Sequence, residues 1–222
     1  MRILVVAPHP DDETLGCGGT LLKHKSDSDD LYWLIATTIN DEYKWSKEKI
    51  KKREEEIVEI SGLYQFSKTF RLGLATTQLD TIPLTELITK FVAVYEKIKP
   101  EIIYMPFRND VHTDHQIISK ALQSTFKWFR YPYLKKVLMY ETLSETEYSF
   151  IDEPFRPNTF YDISKFLDKK ITAMKIYESE IGTFPFPRSE KAIRSLARLR
   201  GSQSGYEYAE SFQLVYNRSW KK

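Results

Sequence analysis

Two short stretches of this sequence concentrate residue types that bind metals and move protons. The first, Pro8-His-Pro-Asp-Asp-Glu13, places the imidazole of His9 beside three consecutive carboxylates. Three neighbouring anions repel one another, and burying them at a strand end is costly unless a cation or hydrogen-bond donors compensate them. A divalent metal would do so, and a histidine with hard carboxylates suits zinc. Alternatively, Asp11 or Asp12 only caps a helix that starts near Thr14.

The second stretch, Pro106-Phe-Arg-Asn-Asp-Val-His-Thr-Asp-His115, holds two histidines three residues apart at a predicted helix start. Residues at this spacing lie on one side of a helical turn, so one can bind a metal while the other faces the same cleft. Asp114 is a candidate helix cap or imidazole partner. A lone histidine in a loop is more often structural, but three of the four histidines fall in these two stretches. The fourth, His24, is expected to be an exposed helical residue.

Catalytic zinc sites use three protein ligands and leave one position open for water. His9, Asp12 and His115 supply such a set. Asp11 and His112 then stay unligated and available for acid–base chemistry. Iron(II) suits two histidines and an aspartate as well as zinc does, so the sequence indicates a divalent metal and leaves its identity open.

Both stretches follow short apolar runs, residues 3–7 and 101–105, that are typical of buried strands. Strands are predicted at residues 3–7, 31–37, 69–74, 101–105, 136–140 and 208–216, and helices at 15–25, 47–63, 84–99, 114–126, 163–177 and 189–199. Their alternation favours a parallel sheet covered by helices on both faces, and we predict a Rossmann-like three-layer αβα domain with a mostly parallel sheet. Ligands of such sheets bind beyond the carboxyl ends of strands, so both stretches open on one edge.

Residues 1–222 are expected to form one domain, with a core over about 1–141 and a C-terminal elaboration over about 142–222. Residues 142–160 are polar and predicted to be irregular, and residues 182–189 form a proline-rich loop. Another loop is predicted from Asn40 to Trp45, where Tyr43, Lys44 and Trp45 either cover a substrate or form ordinary surface.

The composition excludes several classes of protein. The 33 basic and 31 acidic residues nearly balance and are mixed along the chain, which is unlike a nucleic-acid-binding surface. No apolar stretch approaches the roughly 20 residues that span a bilayer, and no secretory signal pattern opens the sequence. The single cysteine, Cys17, excludes an intramolecular disulfide framework. We therefore expect a cytoplasmic protein, and a homo-oligomer is compatible with this composition.

The first stretch and His112-Thr-Asp-His115 together resemble the motifs of the zinc-dependent N-deacetylases of the LmbE/PIG-L family. Further segments resemble that family in their order along most of the chain: Arg53 with Glu56, Gln78-Leu-Asp80, Tyr140-Glu-Thr142 with Ser144 and Thr146, Pro157-Asn158 with Asp162-Ile-Ser164, Pro187-Arg-Ser189, Arg200-Gly201 and Ala209-Glu-Ser-Phe212. They look most like members found with surface-polysaccharide biosynthesis.

This resemblance implies a hydrolase that removes acetyl from an N-acetylated amino sugar such as N-acetylglucosamine, free or linked to a nucleotide or glycoside. By position it implies three zinc ligands, His9, Asp12 and His115. Asp11 becomes the general base that takes a proton from the attacking water. His112 would stabilise the oxyanion or protonate the departing amine, held in orientation by Asp114.

Sugar hydroxyls or an anionic substituent would need donors around the metal, and the candidates are Arg53, Arg108, Asn109 and Arg188. Alternatively, Arg53 only pairs with Glu56 on a solvated helix face, and Arg200 only anchors a helix end. The chain departs from the family pattern at four positions. Thr76 and Phe186 stand where many relatives have other residues, and Val111 and Thr113 differ from some relatives. These departures argue against a simple transfer of substrate identity.

Two other functions stay open. One is an amidase that acts on a thiol-glycoside conjugate with the same metal site and a different pocket. The other is a non-catalytic sugar- or nucleotide-binding module, which has no use for an unligated Asp11 beside the metal. Gly16, Gly18 and Gly19 do not have the spacing of a dinucleotide-binding loop.

Overall fold

The computed structural model of the protein describes residues 1–39 and 45–219. In this part of the chain, seven strands form one sheet that is covered by six α-helices. The strands are β1 (Arg2–Ala7), β2 (Asp30–Thr38), β3 (Lys68–Ala75), β4 (Ile102–Pro106), β5 (Lys136–Tyr140), β6 (Thr159–Asp162) and β7 (Ala209–Asn217). The helices are α1 (Asp12–Ser26), α2 (Lys47–Tyr64), α3 (Leu84–Ile98), α4 (Thr113–Gln123), α5 (Leu167–Ile176) and α6 (Glu190–Ser204).

The strand order of the sheet is β3-β2-β1-β4-β5-β7-β6. The first five of these strands run parallel, whereas β7 runs antiparallel to β5 and β6. The chain passes outward from β1 through β2 and β3, then returns to the other side of β1 as β4. Ligands of open parallel sheets bind at such a switch point, outside the carboxyl ends of the strands. The two histidine-containing stretches follow β1 and β4, so they meet there.

Two hydrophobic cores lie on opposite faces of the sheet, and β1 contributes to both. Ile3, Val5 and Ala7 belong to the core that contains side chains of α1, α2, α5 and α6. Leu4 and Val6 belong to the core formed with α3 and α4. Successive side chains of a strand point to opposite faces, so a strand covered on both faces needs a continuous apolar run. The predicted three-layer αβα fold is confirmed.

The structure differs from the predicted elements mainly after residue 142. Strand β6, which was not predicted, begins in the last two residues of the segment expected to be irregular and pairs with β7 at the edge of the sheet. This strand has four residues, none of them fully buried, so neither length nor apolar pattern marks it. Helix α5 begins four residues later than predicted, at Leu167. Helix α6 continues five residues beyond its predicted end, until Gly205 takes the left-handed conformation that ends helices.

The expectation that His24 is exposed is wrong. Its side chain is buried, with Nδ1 2.7 Å from Oδ2 of Asp29 and Nε2 2.8 Å from the hydroxyl of Tyr104. The flanking lysines suggested a solvated helix end, but this face of α1 packs against the sheet. His24 therefore belongs to a buried polar network whose members satisfy one another.

Of the loop predicted from Asn40 to Trp45, only Trp45 belongs to the described residues, and Tyr43 and Lys44 lie outside them. Among the helices in the described ranges, none is long and apolar enough to cross a membrane. Strands β6 and β7 join the same sheet as the first five strands.

Candidate metal centre

The turn after β1 brings His9, Asp11 and Asp12 to the switch point. Asp12 is the first residue of α1, and its Oδ2 accepts a 2.8 Å hydrogen bond from the backbone amide of His9. Asp11 has a φ of 132°, which residues other than glycine rarely adopt. Its side chain makes no capping hydrogen bond to α1 and lines a cavity instead. The interpretation of Asp11 as a mere helix cap is therefore wrong.

The loop after β4 supplies His112 and His115. His112 is the N-cap of α4, and its Nδ1 accepts a 3.1 Å hydrogen bond from the backbone amide of Asp114. This bond satisfies one of the amides that a helix N-terminus leaves without a partner. Because Nδ1 is the acceptor, a neutral His112 ring carries its proton on Nε2. The His112 ring centroid lies 4.5 Å from that of His9.

Three side chains from the two loops converge at one point. Oδ2 of Asp12 lies 3.4 Å from Nδ1 of His9 and 3.3 Å from Nε2 of His115. One ligand atom from each of these residues lies within 4.8 Å of the other two. Two imidazoles and a carboxylate make a donor set that suits catalytic zinc.

The outward-facing nitrogens of both imidazoles meet carboxylates. Nε2 of His9 lies 3.0 Å from Oδ2 of Asp114, and Nδ1 of His115 lies 2.8 Å from Oδ2 of Asp110. Metal-binding histidines commonly donate their other N–H to such a partner, which sets the tautomer and orients the ring. With a metal bound, neutral rings that donate from these outer nitrogens would present the lone pairs of Nδ1 of His9 and Nε2 of His115, the two atoms that face Asp12. These residues fit a divalent metal.

A second group of possible ligands, His9, His112 and Asp114, also lies within reach of one ion. In this second group, however, His112 lacks a free lone pair. Its Nδ1 accepts the hydrogen bond from the Asp114 amide, so its Nε2 carries the ring proton. Binding a metal with His112 would break that hydrogen bond at the start of α4, so the first group is the better fit.

Asp11 lies beside the convergence point and is held by an arginine. Nη1 of Arg188 donates a 2.8 Å hydrogen bond to Oδ2 of Asp11 and one of 2.9 Å to Oε2 of Glu180. Burial and the neighbouring Asp12 raise the pKa of Asp11 to about 8, while Arg188 acts in the opposite direction. Burial, followed by the charges of His9 and His115, lowers the pKa of His112 to about 4. His112 is therefore neutral at pH 7.

A cavity of about 410 Å³ opens from His9, Asp11, Asp12 and His112 toward β2, β3 and α2. Arg53 of α2 lines it and donates hydrogen bonds to the carbonyl of Pro10 and to Oε1 of Glu180. Trp45 and Ile35 add apolar surface to the wall. Pockets that bind small molecules have such volumes and this mixture of apolar surface with a few polar groups.

Comparison with known proteins identifies the family. The family model described as "PIG-L: GlcNAc-PI de-N-acetylase" matches residues 4–126, which is more than half of the chain. The chain belongs to the PIG-L family. This result confirms the resemblance inferred from the two histidine-containing stretches, both of which lie inside the matched region.

Relatives of this PIG-L protein extend the match beyond residue 126. A curated diacetylchitobiose deacetylase of Thermococcus kodakarensis is 27% identical over 227 residues, covering 96% of this chain and 83% of the relative. The crystal structure of the conserved protein TT1542 from Thermus thermophilus is 27% identical with a TM-score of 0.77, covering 99% of this chain and 98% of the other. The N,N'-diacetylchitobiose deacetylase from Pyrococcus horikoshii is 20% identical with a TM-score of 0.78, covering 97% and 84%. The last similarity establishes the fold alone.

The structure corrects the expected role of Asp114 in this PIG-L site. Its carboxylate contacts His9, and only its backbone amide contacts His112. The reason is that His112 occupies the N-cap of α4, so its ring accepts from the first turn while the Asp114 side chain points back toward the β1 loop. The carboxylate also accepts hydrogen bonds from the amides of Thr77 and, at 3.4 Å, Leu79.

The four predicted substrate-binding residues separate into two pairs. Arg53 and Arg188 line the cavity. Arg108 and Asn109 are not among its lining residues in the described part of the chain. Nη2 of Arg108 lies 3.1 Å from Oε2 of Glu153, and Nδ2 of Asn109 donates to the Glu153 carbonyl. Their positions after β4 suggested the cavity, but the loop turns both side chains toward the segment after β5.

The structure does not support the simpler alternatives for two other arginines, in which Arg53 lies on a solvated helix face and Arg200 only anchors a helix end. Arg53 does pair with Glu56, with Nε 3.3 Å from Oε2, but both side chains are largely buried beside the cavity rather than solvated. Arg200 donates two hydrogen bonds, of 2.8 and 2.6 Å, to the carboxylate of Glu141 at the end of β5. Thr76 lines the cavity, whereas Phe186 does not.

Three carboxylates of the site were not predicted from the sequence. Asp110 contacts His115, Glu180 binds both Arg53 and Arg188, and Glu145 lies 3.3 Å from Nη2 of Arg188. Asp110 had a signal, since it lies in the same strand-end loop as His115. Glu180 and Glu145 come from segments far along the chain, and no local pattern distinguishes them.

Proposed function

We propose that this PIG-L protein is a metal-dependent N-deacetylase that hydrolyses the acetamide of an N-acetylated amino sugar, such as N-acetylglucosamine, free or linked to a glycoside or nucleotide. The observation that carries this proposal is the convergence of His9, Asp12 and His115 beside the uncoordinated carboxylate of Asp11. Family membership and a relative that deacetylates diacetylchitobiose, as its name states, support it.

The metal would be held by His9, Asp12 and His115, and zinc is our first choice, with iron(II) the alternative. Such an ion supplies Lewis acidity for the acetyl carbonyl and lowers the pKa of the attacking water toward neutrality. Asp114 and Asp110 hold the two imidazoles in orientation through their outer nitrogens.

Asp11 is the general base in this proposal, and a divalent cation held beside it would act with Arg188 to lower its pKa from about 8, so that the carboxylate is ionised when it takes the proton. Arg188 binds Oδ2, so we assign Oδ1 as the atom that takes the proton from the attacking water. As the tetrahedral centre collapses, that proton passes to the amine nitrogen, and acetate and the free amine leave. The ion pair with Arg188 restricts Asp11 to one orientation, which a base in such a reaction needs.

His112 is the oxyanion donor. Its Nδ1 is occupied by the Asp114 amide, and burial keeps the ring neutral, so the remaining Nε2–H is the group that can donate to a developing negative charge. Arg53 and Arg188 are the proposed sugar-binding cations, because both line the cavity, where each binds a different oxygen of Glu180. We do not assign this role to Arg108 and Asn109, because their side chains contact Glu153 instead.

The test is metal content followed by acetate release. The protein is purified, its metal is quantified, and acetate is measured after incubation with N-acetylglucosamine, diacetylchitobiose and a nucleotide-linked N-acetylhexosamine. Asp11→Asn keeps the shape of the side chain and removes the base, and Asp30→Asn, an exposed position at the amino end of β2, is the matched control.

Metal-dependent acetate release that is lost in Asp11→Asn and kept in Asp30→Asn would support the proposal. Bound metal without release from any of these sugars would contradict it in favour of a thiol-conjugate amidase or a binding module. Failure to take up zinc or iron(II) would overturn the metal site itself.

We further propose that residues 1–222 act as one domain in the cytoplasm, with polysaccharide biosynthesis as the expected context.

A further inference from the structure

Helix α1, which begins with the proposed ligand Asp12, is broken in its second turn. Cys17 has φ −146° and ψ 20°, outside the helical region. The short first part carries Asp12 and Glu13, and the second part continues to Ser26. The orientation of the first part, and therefore of the Asp12 carboxylate, depends on what holds the break.

A buried ion pair from two distant elements lies at this break. Nζ of Lys170, on α5, lies 2.6 Å from Oε1 of Glu210, on β7, and both residues are only 5% exposed. The ammonium donates a 2.8 Å hydrogen bond to the carbonyl of Leu15. The carboxylate accepts hydrogen bonds of 2.9 and 2.7 Å from the amides of Gly19 and Thr20.

In an unbroken helix, the Gly19 amide would donate directly to the Leu15 carbonyl, four residues earlier. Here the carbonyl accepts from Lys170 and the amide donates to Glu210, so the ion pair bridges the two atoms. Lys170 thus caps the end of the first part, and Glu210 caps the start of the second. Charges of these signs also suit these helix ends, since carboxylates favour N-termini and ammonium groups C-termini.

The glycines at the break leave space for this arrangement, because they carry no side chain. A Cβ on Gly18 would lie 3.3 Å from Cγ of Lys170 and 2.6 Å from the hydroxyl of Tyr64. A Cβ on Gly16 would overlap the ring of Tyr140, whose hydroxyl donates to the carbonyl of Val6 in β1. The glycine-rich segment therefore brings α1 against the ion pair and the sheet.

Stability alone is a weak reason for burying such a pair, because the desolvation of two charges offsets much of their attraction. We propose that Lys170 and Glu210 are positioning residues that bridge the break in α1 and so fix the carboxylate of Asp12 between His9 and His115. This inference rests on the proposed function, because it assigns Asp12 to the metal. It also gives a physical role to the Ala209–Phe212 segment, which the proposed reaction does not use.

The test compares Lys170→Gln and Glu210→Gln with Leu87→Ala. Each glutamine keeps polar atoms at its position and removes one charge, whereas Leu87→Ala opens a cavity in the core on the other face of the sheet. Zinc affinity is measured by competition with a chromophoric chelator, at a temperature where all variants are folded by circular dichroism. We expect zinc affinity to fall about tenfold or more in both glutamine variants and to stay unchanged in Leu87→Ala, although that variant is also less stable.

Amide hydrogen exchange of the wild-type protein, measured with and without added zinc, provides a second measurement that needs no variant to fold. Gly19 and Thr20 should exchange as slowly as the amides of β1, because a buried carboxylate holds them. Exchange as fast as that of Lys25 in the last turn would overturn the bridge, and so would unchanged zinc affinity in folded glutamine variants. If the wild-type protein itself takes up no zinc, the proposed function has failed, and the exchange data judge the bridge separately.

Discussion

Oδ2 of Asp110 lies 2.8 Å from Nδ1 of His115, which is the ring nitrogen that points away from Asp12. The other carboxylate oxygen of Asp110 accepts a 2.6 Å hydrogen bond from the hydroxyl of Thr146. The carboxylate is fully buried and held from two sides, so it holds the His115 ring in one orientation. The equivalent carboxylate on His9 is Asp114, and each proposed histidine ligand thus has its own anionic partner.

Asp110→Asn should weaken zinc binding without removing a ligand. An amide is a poorer acceptor for the His115 N–H and no longer increases the basicity of the ring, so zinc affinity should fall by about ten- to a hundredfold. Chelator competition measures the effect, and Asp152→Asn, at an exposed position, is the control. Equal zinc affinities in the two variants would show that Asp110 has no influence on the metal.

His112→Asn should separate catalysis from metal binding. Asparagine is a good N-cap, so α4 should keep its start, but no donor remains at the position of the His112 Nε2. We expect kcat/KM for acetate release to fall by about a hundredfold, as when an oxyanion donor is lost, with zinc affinity nearly unchanged. Loss of zinc binding would instead favour the second ligand group, which contains His9, His112 and Asp114.

Arg188→Met should lower activity through Asp11. The substitution keeps much of the side-chain volume but removes the cation that holds Oδ2 of Asp11 and also binds Glu180. We expect kcat/KM to fall by about a hundredfold. Arg194→Met is the matched control, because Arg194 forms surface ion pairs with Glu190 and Asp168. If both variants keep wild-type activity, Asp11 needs no such partner.

His24 predicts a pH dependence of stability away from the metal centre. Burial lowers the pKa of His24, although Asp29 acts in the opposite direction. The unfolded chain, with a histidine pKa of about 6.5, therefore binds this proton at a higher pH than the folded protein does. The free energy of unfolding should fall as the pH drops below that value.

His24→Gln should remove this contribution. Urea unfolding from about pH 8 to about pH 5 should show a smaller loss of stability in His24→Gln than in the wild-type protein. Comparing the two proteins cancels the contributions of the other histidines. Parallel pH profiles would mean that folding does not lower the pKa of His24.

The proposed metal-binding triad could be predicted from local sequence patterns. His9 and Asp12 lie three residues apart after one apolar strand, and His115 follows another such strand, so parallel-sheet geometry alone predicts that they meet. The fold class could also be predicted, since apolar runs alternate with amphipathic segments over most of the chain. Strand β6 could not be predicted, because its four partly exposed residues show no hydrophobic pattern of a strand.

Side-chain partners were less accessible. Neighbours in the sequence suggested that Asp114 holds His112 and that Arg108 and Asn109 face the substrate, and the structure places those side chains on His9 and Glu153. The direction of a side chain in a loop depends on the capping and packing of the elements around it. A spacing rule along the chain does not contain that information.

The sequence alone predicts most of the strands and helices in their order, the family, and the two loops that meet at the switch point. These features follow from periodicity and from residue types within short windows. Three sets of contacts are visible only in the folded chain: Arg188 holds Asp11, Asp110 holds His115, and Lys170 and Glu210 contact the two sides of the break in α1. Those contacts join residues as far as 191 positions apart. They arise because burial forces each charged group to find a partner among whatever side chains the packed helices and strands bring near it.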